Sequence, residues 1–193
     1  MGDAALWSLI GYLLGSIPFG LLLTRMIGVD IRKVGSGNIG TTNVLRTGNK
    51  GLAAATLLLD AGKGAVAVLL ARQFAGETAA ICAGIAAFAG HCFPIWLKFR
   101  GGKGVATMLG IALAAVPLAG AAALVGWLGA ALATRYSSLG GMVSALVAAG
   151  AGWALGGAAW GLALLALAVV LVAKHHENIA RLRAGTEGRI GQK

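Results

Sequence analysis

Two long uncharged stretches limit what this chain can become. From Val105 to Thr134, and again from Leu139 to Ala173, no charged side chain interrupts an apolar run. A bilayer's hydrocarbon core is about 30 Å thick and is crossed by about 20 apolar residues in a helix. Both runs are therefore too long for one perpendicular span and too apolar for a surface loop. Two more runs, Ala4–Leu23 and Gly51–Ala71, and a third, Thr78–Leu97, repeat the pattern. Of the 193 residues, 58% are hydrophobic and only 11% charged, against about 45–50% and 25% in soluble domains. The bilayer is the solvent this sequence is written for.

Breaks within the runs set the expected helix count. Pro117 interrupts 105–134, and Gly156-Gly157 interrupts 139–173. Divided there, each run supplies two short helices, those of 105–134 about 20 Å long each at 1.5 Å per residue. The short polar connection Arg72–Glu77 separates the second and third runs. The first run lacks a basic leader and a convincing cleavage site, so it reads as a retained span and not a signal peptide. An all-α bundle of seven transmembrane helices results, forming one polytopic domain over 1–193, N-terminus outside and C-terminus cytoplasmic. The positive-inside rule supports this topology: 24–50, 98–104, 134–138 and the tail then hold 14 of the 16 Lys and Arg residues. Leaving the long runs undivided would give five spans and move Arg135 outward. Most of the 32 glycines serve close helix packing.

The same topology brings three polar stretches to one face. The first, Val34 to Arg46, sets Ser36, Gly37, Asn38, Thr42 and Asn43 beside one guanidinium, a composition that suits phosphate. In the second, Gly90-His91-Cys92-Phe93-Pro94 leads into Lys98-Phe99-Arg100-Gly101-Gly102-Lys103-Gly104, where cations and glycines suit an anion at a membrane surface. The third is Lys174-His175-His176-Glu177-Asn178-Ile179-Ala180-Arg181. Read as helix, it puts His175, Asn178 and Leu182 on one face and lets Glu177 pair with Arg181. Asp60 and Lys63, one turn apart inside a span, read as a structural ion pair facing the bundle, with a place at the buried end of the polar site as the second reading. His91 reads as a structural hydrogen-bonding group.

Several classes fall away. The net charge of +10 follows from cytoplasmic loops of a membrane protein, and no nucleic-acid-binding motif accompanies it. Cys82 and Cys92 lack metal-ligand spacing, and adjacent His175 and His176 point to different helix faces, so no metal site is expected. The Gly101–Gly104 loop lacks the glycine spacing and the hydroxyl of a nucleoside-triphosphate loop. No His is followed five residues later by Asp: position 96 is Trp, 180 is Ala and 181 is Arg.

Taken in order, GSGNIGTTNVLR at 35–46, GHCFPIWLKFRGGKGVAT at 90–107 and KHHENIARLRAGTE at 174–187 resemble one family, the bacterial membrane glycerol-3-phosphate acyltransferases that use acyl phosphate, the PlsY family. The resemblance covers almost the whole chain. It implies a seven-helix inner-membrane enzyme, with its active site facing the cytoplasm and no cofactor. The enzyme would transfer an acyl group from acyl phosphate to the 1-hydroxyl of glycerol 3-phosphate, giving lysophosphatidic acid and phosphate for phospholipid biosynthesis. It would work between the enzyme that makes acyl phosphate and the next acyltransferase. Carried over by residue, it implies roles for Ser36 and Arg46, for Gly101, Gly102, Lys103 and Gly104 in phosphate binding, for His175, Glu177 and Asn178, and for Ser138. Lys174 and His176 stand where the family commonly has arginine, and Lys98 adds a charge.

The chemistry fits the residues. Two phosphorylated substrates need cations, a developing oxyanion needs donors, and an acyl phosphate is already activated for attack. Arg46, Lys103, Arg100 and Lys98 can supply charge, while Ser36, Asn38, Asn178 and glycine amides can donate. A substrate phosphate can accept the hydroxyl proton, with His175 positioning or sharing it. This direct transfer is preferred to an acyl-enzyme on Ser36, which has no histidine near it in sequence. Glu177 reads as structural. A small-anion transporter is the rival from another class, favoured by Asp60, Lys63 and the broken helices. The absence of an evident internal repeat and the position of the polar clusters at the membrane edge count against it.

Overall fold

The computed structural model describes residues 2–191, so Met1 and the tail residues Gln192 and Lys193 lie outside the described chain. Among the described residues there is no strand. The helices are α1 (Gly2–Gly15), α2 (Phe19–Arg25), α3 (Thr41–Leu45), α4 (Lys50–Cys92), α5 (Val105–Ala115), α6 (Pro117–Thr134), α7 (Ser137–Lys174) and α8 (His176–Arg183), with 3₁₀ turns at Ile31–Lys33 and Ile95–Leu97. Four segments are long and apolar enough to cross a membrane: Gly2–Arg25, Lys50–Leu97, Pro117–Thr134 and Ser137–Lys174. Leucines that point outward, such as Leu58, Leu118 and Leu132, suit contact with lipid tails. The chain divides into two compact units, Met1–Ile111 and Ala112–Lys193.

In the first unit α4 is a hairpin. Gly76 leaves the helical region (φ 80°, ψ −173°), and His91 lies 3.6 Å from Asp60. In a straight helix those residues, 31 apart, would be about 46 Å from each other. Only a reversal at Gly76 can join them. Arg72 and Glu77 close the turn with two hydrogen bonds, of 2.8 and 2.9 Å. α1 runs parallel to the returning half of α4, with Gly11 against Ala83 and Gly15 against Ala87, so closely that a methyl group on either glycine would overlap backbone.

The first apolar run is not one continuous helix. It breaks over Ser16–Pro18, because proline has no N–H to donate and disfavours helix in the residue before it. Tyr12, one turn before the break, and Ser16, at its start, accept from the 3₁₀ turn that follows α4: Trp96 Nε1 donates to the Ser16 carbonyl (2.7 Å) and Ile95 N to the Tyr12 hydroxyl (3.1 Å).

In the second unit α7 reverses at Gly157 (φ 78°), which lets Leu164 pack on Gly152 and Trp153 on Gly161. The break expected at Pro117 is unequal, not central: α5 has 11 residues and α6 has 18. Proline is favourable in a helix's first turn, so Pro117 starts α6 and does not divide a longer helix in half. α6 packs on α7, with Gly140 against Trp127 and Gly126 against Val147.

Candidate functional site

The first polar stretch is a loop folded around one amide. Buried Asn43 donates through Nδ2 to the carbonyls of Ile31 (3.1 Å), Val34 (2.9 Å) and Asn38 (2.8 Å), and its Oδ1 accepts from Ser36 N (3.1 Å). A buried carbonyl without a partner is costly, so this side chain holds the loop closed. Asn38 turns the chain by accepting from Gly40 N (2.9 Å) through its Oδ1, and Gly37 N donates to Val34 O (2.9 Å). Asn38 and Asn43 thus hold backbone, while Ser36, Thr42 and Arg46 are exposed. Arg46 ends α3 and lies along Gly35, where any side chain would overlap its guanidinium. Before the loop, the Arg32 side chain bonds to Asp30 and holds that carboxyl well below the usual carboxylate range.

The second stretch leaves α4 at Cys92 and doubles back on it. Leu97 packs against the small apolar core of Leu21, Ile31, Ile39, Val44 and Ala53 that underlies the first loop. The two loops of the first unit therefore rest on one pad, which places the segments carrying Arg46 and Lys103 on the same support. Lys98 and Phe99 take left-handed backbone (φ 52° and 61°) to make the turn, and Arg100 is exposed. Gly101 N donates to Cys92 O (3.2 Å) and Gly102 N to His91 O (3.0 Å). Both amides are thus engaged with the end of α4. Lys103 is half-buried, and Gly104 (φ 91°) lies against the Phe88 ring.

Behind this loop Lys63 Nζ lies 2.6 Å from Asp60 Oδ1 and donates to the Ile17 carbonyl (2.8 Å), both side chains being 3% exposed. The Phe19 ring centroid is 5.6 Å from the same ammonium, and His91 flanks the carboxylate.

In the second unit the third stretch does not continue α7. His175 is the corner between α7 and α8, with its side chain buried. Its Nδ1 lies 2.8 Å from the Leu171 carbonyl, which can only accept, so Nδ1 carries a proton and, in the neutral form of the ring, the lone pair is on Nε2. That tautomer can take a proton at Nε2.

Three donors converge on a carboxylate that helical spacing did not single out. Glu187 accepts from Ser138 Oγ, Asn178 Nδ2 and Arg181 Nε, each at 2.6 Å. Arg181 reaches this partner in preference to Glu177, which is exposed and 4.0 Å away. Helical periodicity points to the i,i+4 residue, but the chain turns at Gly185 (φ 70°) and brings Glu187 back over α8. Partial burial pushes the Glu187 carboxyl up, but the hydrogen bonds from Ser138, Asn178 and Arg181 outweigh it and hold it below its ordinary value. The tail continues beside Arg135, where Ile190 N donates to Arg135 O (2.7 Å) and Arg135 Nη2 to Ile190 O (3.0 Å). Trp127, Leu128, Ala131, Leu132, Arg135 and Ile190 line an apolar groove there. Among the described residues no group of three or more His, Cys, Asp or Glu is placed to hold a metal ion.

Residues 5–185 match the family model described as glycerol-3-phosphate acyltransferase. The chain belongs to that family. Relatives called glycerol-3-phosphate acyltransferase include one from Agrobacterium fabrum, 58% identical over 190 residues and covering 98% of this chain and 93% of its own. Another, from Ruegeria pomeroyi, is 58% identical over 197 residues, with 97% and 93% covered. The fold is similar to the crystal structure of PlsY, an integral membrane glycerol 3-phosphate acyltransferase, in its glycerol 3-phosphate form (TM-score 0.93, 36% identity, 97% of this chain and 96% of that one). The lysophosphatidic acid form of PlsY gives a TM-score of 0.91 at 34% identity, covering 97% and 95%. This acyltransferase is an all-helical membrane protein, and the family match, 5–185, covers most of both units of its fold.

Proposed function

We propose that the protein transfers a fatty acyl group from acyl phosphate to the 1-hydroxyl of glycerol 3-phosphate, releasing lysophosphatidic acid and inorganic phosphate. The C–O bond to phosphate breaks as the ester bond to the glycerol oxygen forms. The hydroxyl proton leaves to a substrate phosphate or to His175. The likeness of nearly the whole chain to a structure solved with glycerol 3-phosphate carries this reading. Arg46 and Lys103 neutralise phosphate, the Ser36 hydroxyl donates to the developing oxyanion, and His175 holds or shares the proton at Nε2. Because the donor is already a mixed anhydride, alignment and charge stabilisation suffice and no covalent intermediate on Ser36 is required.

The domain is polytopic and single, and the family match from 5 to 185 supports treating it so. In this reading it crosses the bacterial inner membrane seven times, with N-terminus outside and polar loops in the cytoplasm. The reversals at Gly76 and Gly157 support that count, since each turns one long helix into two segments. Acyl phosphate comes from a preceding enzyme and the product passes to the next acyltransferase of phospholipid synthesis. Purified protein in lipid nanodiscs, given glycerol 3-phosphate and acyl phosphate, makes lysophosphatidic acid, and acyl-CoA does not replace the donor. R46A and K103A each lower the rate by about 10²-fold or more. H175A that keeps more than about a tenth of kcat supports substrate assistance, whereas a loss of 10²–10⁴-fold assigns the base to His175. Absence of product from the wild-type protein overturns the reading.

A further inference from the structure

The glycines of the Gly101–Gly104 loop invite reading as a phosphate cradle, but their surroundings assign two of them a different task. The N–H groups of Gly101 and Gly102 already donate to Cys92 O and His91 O. A methyl group at 101 would overlap those same two carbonyl oxygens, and one at 102 would overlap Nε2 and Cε1 of the His91 ring. His91 belongs to the returning half of α4 and is buried, with Nδ1 3.6 Å from Asp60 Oδ1, an electrostatic contact longer than a hydrogen bond. Asp60 is fixed by Lys63 at 2.6 Å, and Lys63 is fixed in turn by the Ile17 carbonyl at 2.8 Å. A series of buried polar groups thus runs from the α1–α2 corner through Lys63 and Asp60 to His91, whose ring lies against Gly102, the residue before Lys103.

We propose that Gly101 and Gly102 are clamp points, not phosphate ligands, and that His91, braced by Asp60 and Lys63, is a positioning residue that sets Lys103 for the phosphorylated substrate. The role of Lys103 rests on the function proposed above. The clamp itself does not, because it is a packing relation present without substrate. It explains the glycine at 102 by the imidazole wall beside it, whereas a phosphate ligand would need the amide that His91 O already engages.

The test exploits that wall. Asparagine at 91 keeps polar atoms near the Nδ1 position facing Asp60 but removes the Cε1–Nε2 edge beside Gly102. In nanodiscs, G102A is expected to raise the KM for glycerol 3-phosphate at least 10-fold, with a smaller change in kcat. It is also expected to lower the ligand-free Tm by about 5 °C, as overpacking of a fixed wall does. In H91N/G102A the added methyl has room, so KM returns to within about 3-fold of H91N alone, a coupling that independent sites do not show. The proposal is overturned if the double variant is impaired by the product of the two single effects. It is equally overturned if G102A leaves the ligand-free Tm unchanged, a result that decides the matter even should H91N fail to fold. A wild-type protein that makes no lysophosphatidic acid would overturn the assigned reaction, while the Tm comparison would still judge the clamp.

Discussion

Each unit of this protein removes one carboxylate from water, and the two are stabilised by different means. In the first unit Asp60 sits inside an apolar helix with its side chain 3% exposed, and its partner Lys63 comes from the same helix one turn on. In the second, Glu187 is 8% exposed and lies on a tail loop, gathering a hydroxyl, an amide and a guanidinium from the start of α7 and from α8. Deep in an apolar setting a charge needs a counter-charge, because hydrogen bonds alone do not offset its desolvation. Near the aqueous edge several donors suffice, and their value is geometric: they tie a tail to two helices. One arrangement ties α4 to the α1–α2 corner and the other holds the tail in place.

The comparison predicts graded losses. K63M leaves Asp60 charged and without its ammonium, and should destabilise by about 3–5 kcal/mol. D60N/K63M should recover part of that loss, read as the Tm of detergent-purified protein. A K63M protein as stable as wild type would mean the pair contributes nothing. E187A strands three donors beside reachable water and should cost about 2–3 kcal/mol. Residues 185–191 should then exchange amide hydrogens faster while α4 keeps its protection. Equal losses for K63M and E187A would erase the distinction between the two environments. G157A forces a side chain into left-handed backbone (φ 78°) at the α7 reversal and should cost about 1–2 kcal/mol in Tm-derived stability.

The smallest effect concerns acid. The folded-state value of Glu187 lies below its ordinary 4.5, so its contribution is full above that pH. It is lost as pH falls through the depressed value. Exchange at 185–191 should accelerate over that window in the wild-type protein and not in E187Q. A window above pH 4.5 would contradict the direction of the shift.

How far the sequence could be read followed the range of the interactions involved. The apolar runs, the interruption at Pro117 and the reversals between 72 and 77 and at Gly157 were all legible, since each depends on residues within a turn or two. The Asp60–Lys63 pair was legible for the same reason. The break at Ser16–Pro18 was passed over because the run is apolar on both sides of it. The corner at His175 was hidden by favourable helical spacing across it. Glu187 was missed because the i,i+4 rule nominates Glu177, and nothing local shows that the chain turns at Gly185 and comes back.

The sequence alone therefore determined the solvent, the helical class, the approximate element boundaries and the stretches where cations and glycines gather. Each of those is a sum of local preferences over neighbouring residues. The fold decided which of those groups are already engaged. The amides of Gly101 and Gly102 are held by the end of α4, the Asn43 amide is taken up by its own loop, and Arg181 answers to Glu187. Ser138 meets a carboxylate 49 residues away and Trp96 a carbonyl 80 residues away. Partners at such separations are chosen by packing of the whole chain, because a hydrogen bond is made wherever burial brings donor and acceptor together, whatever their distance in sequence.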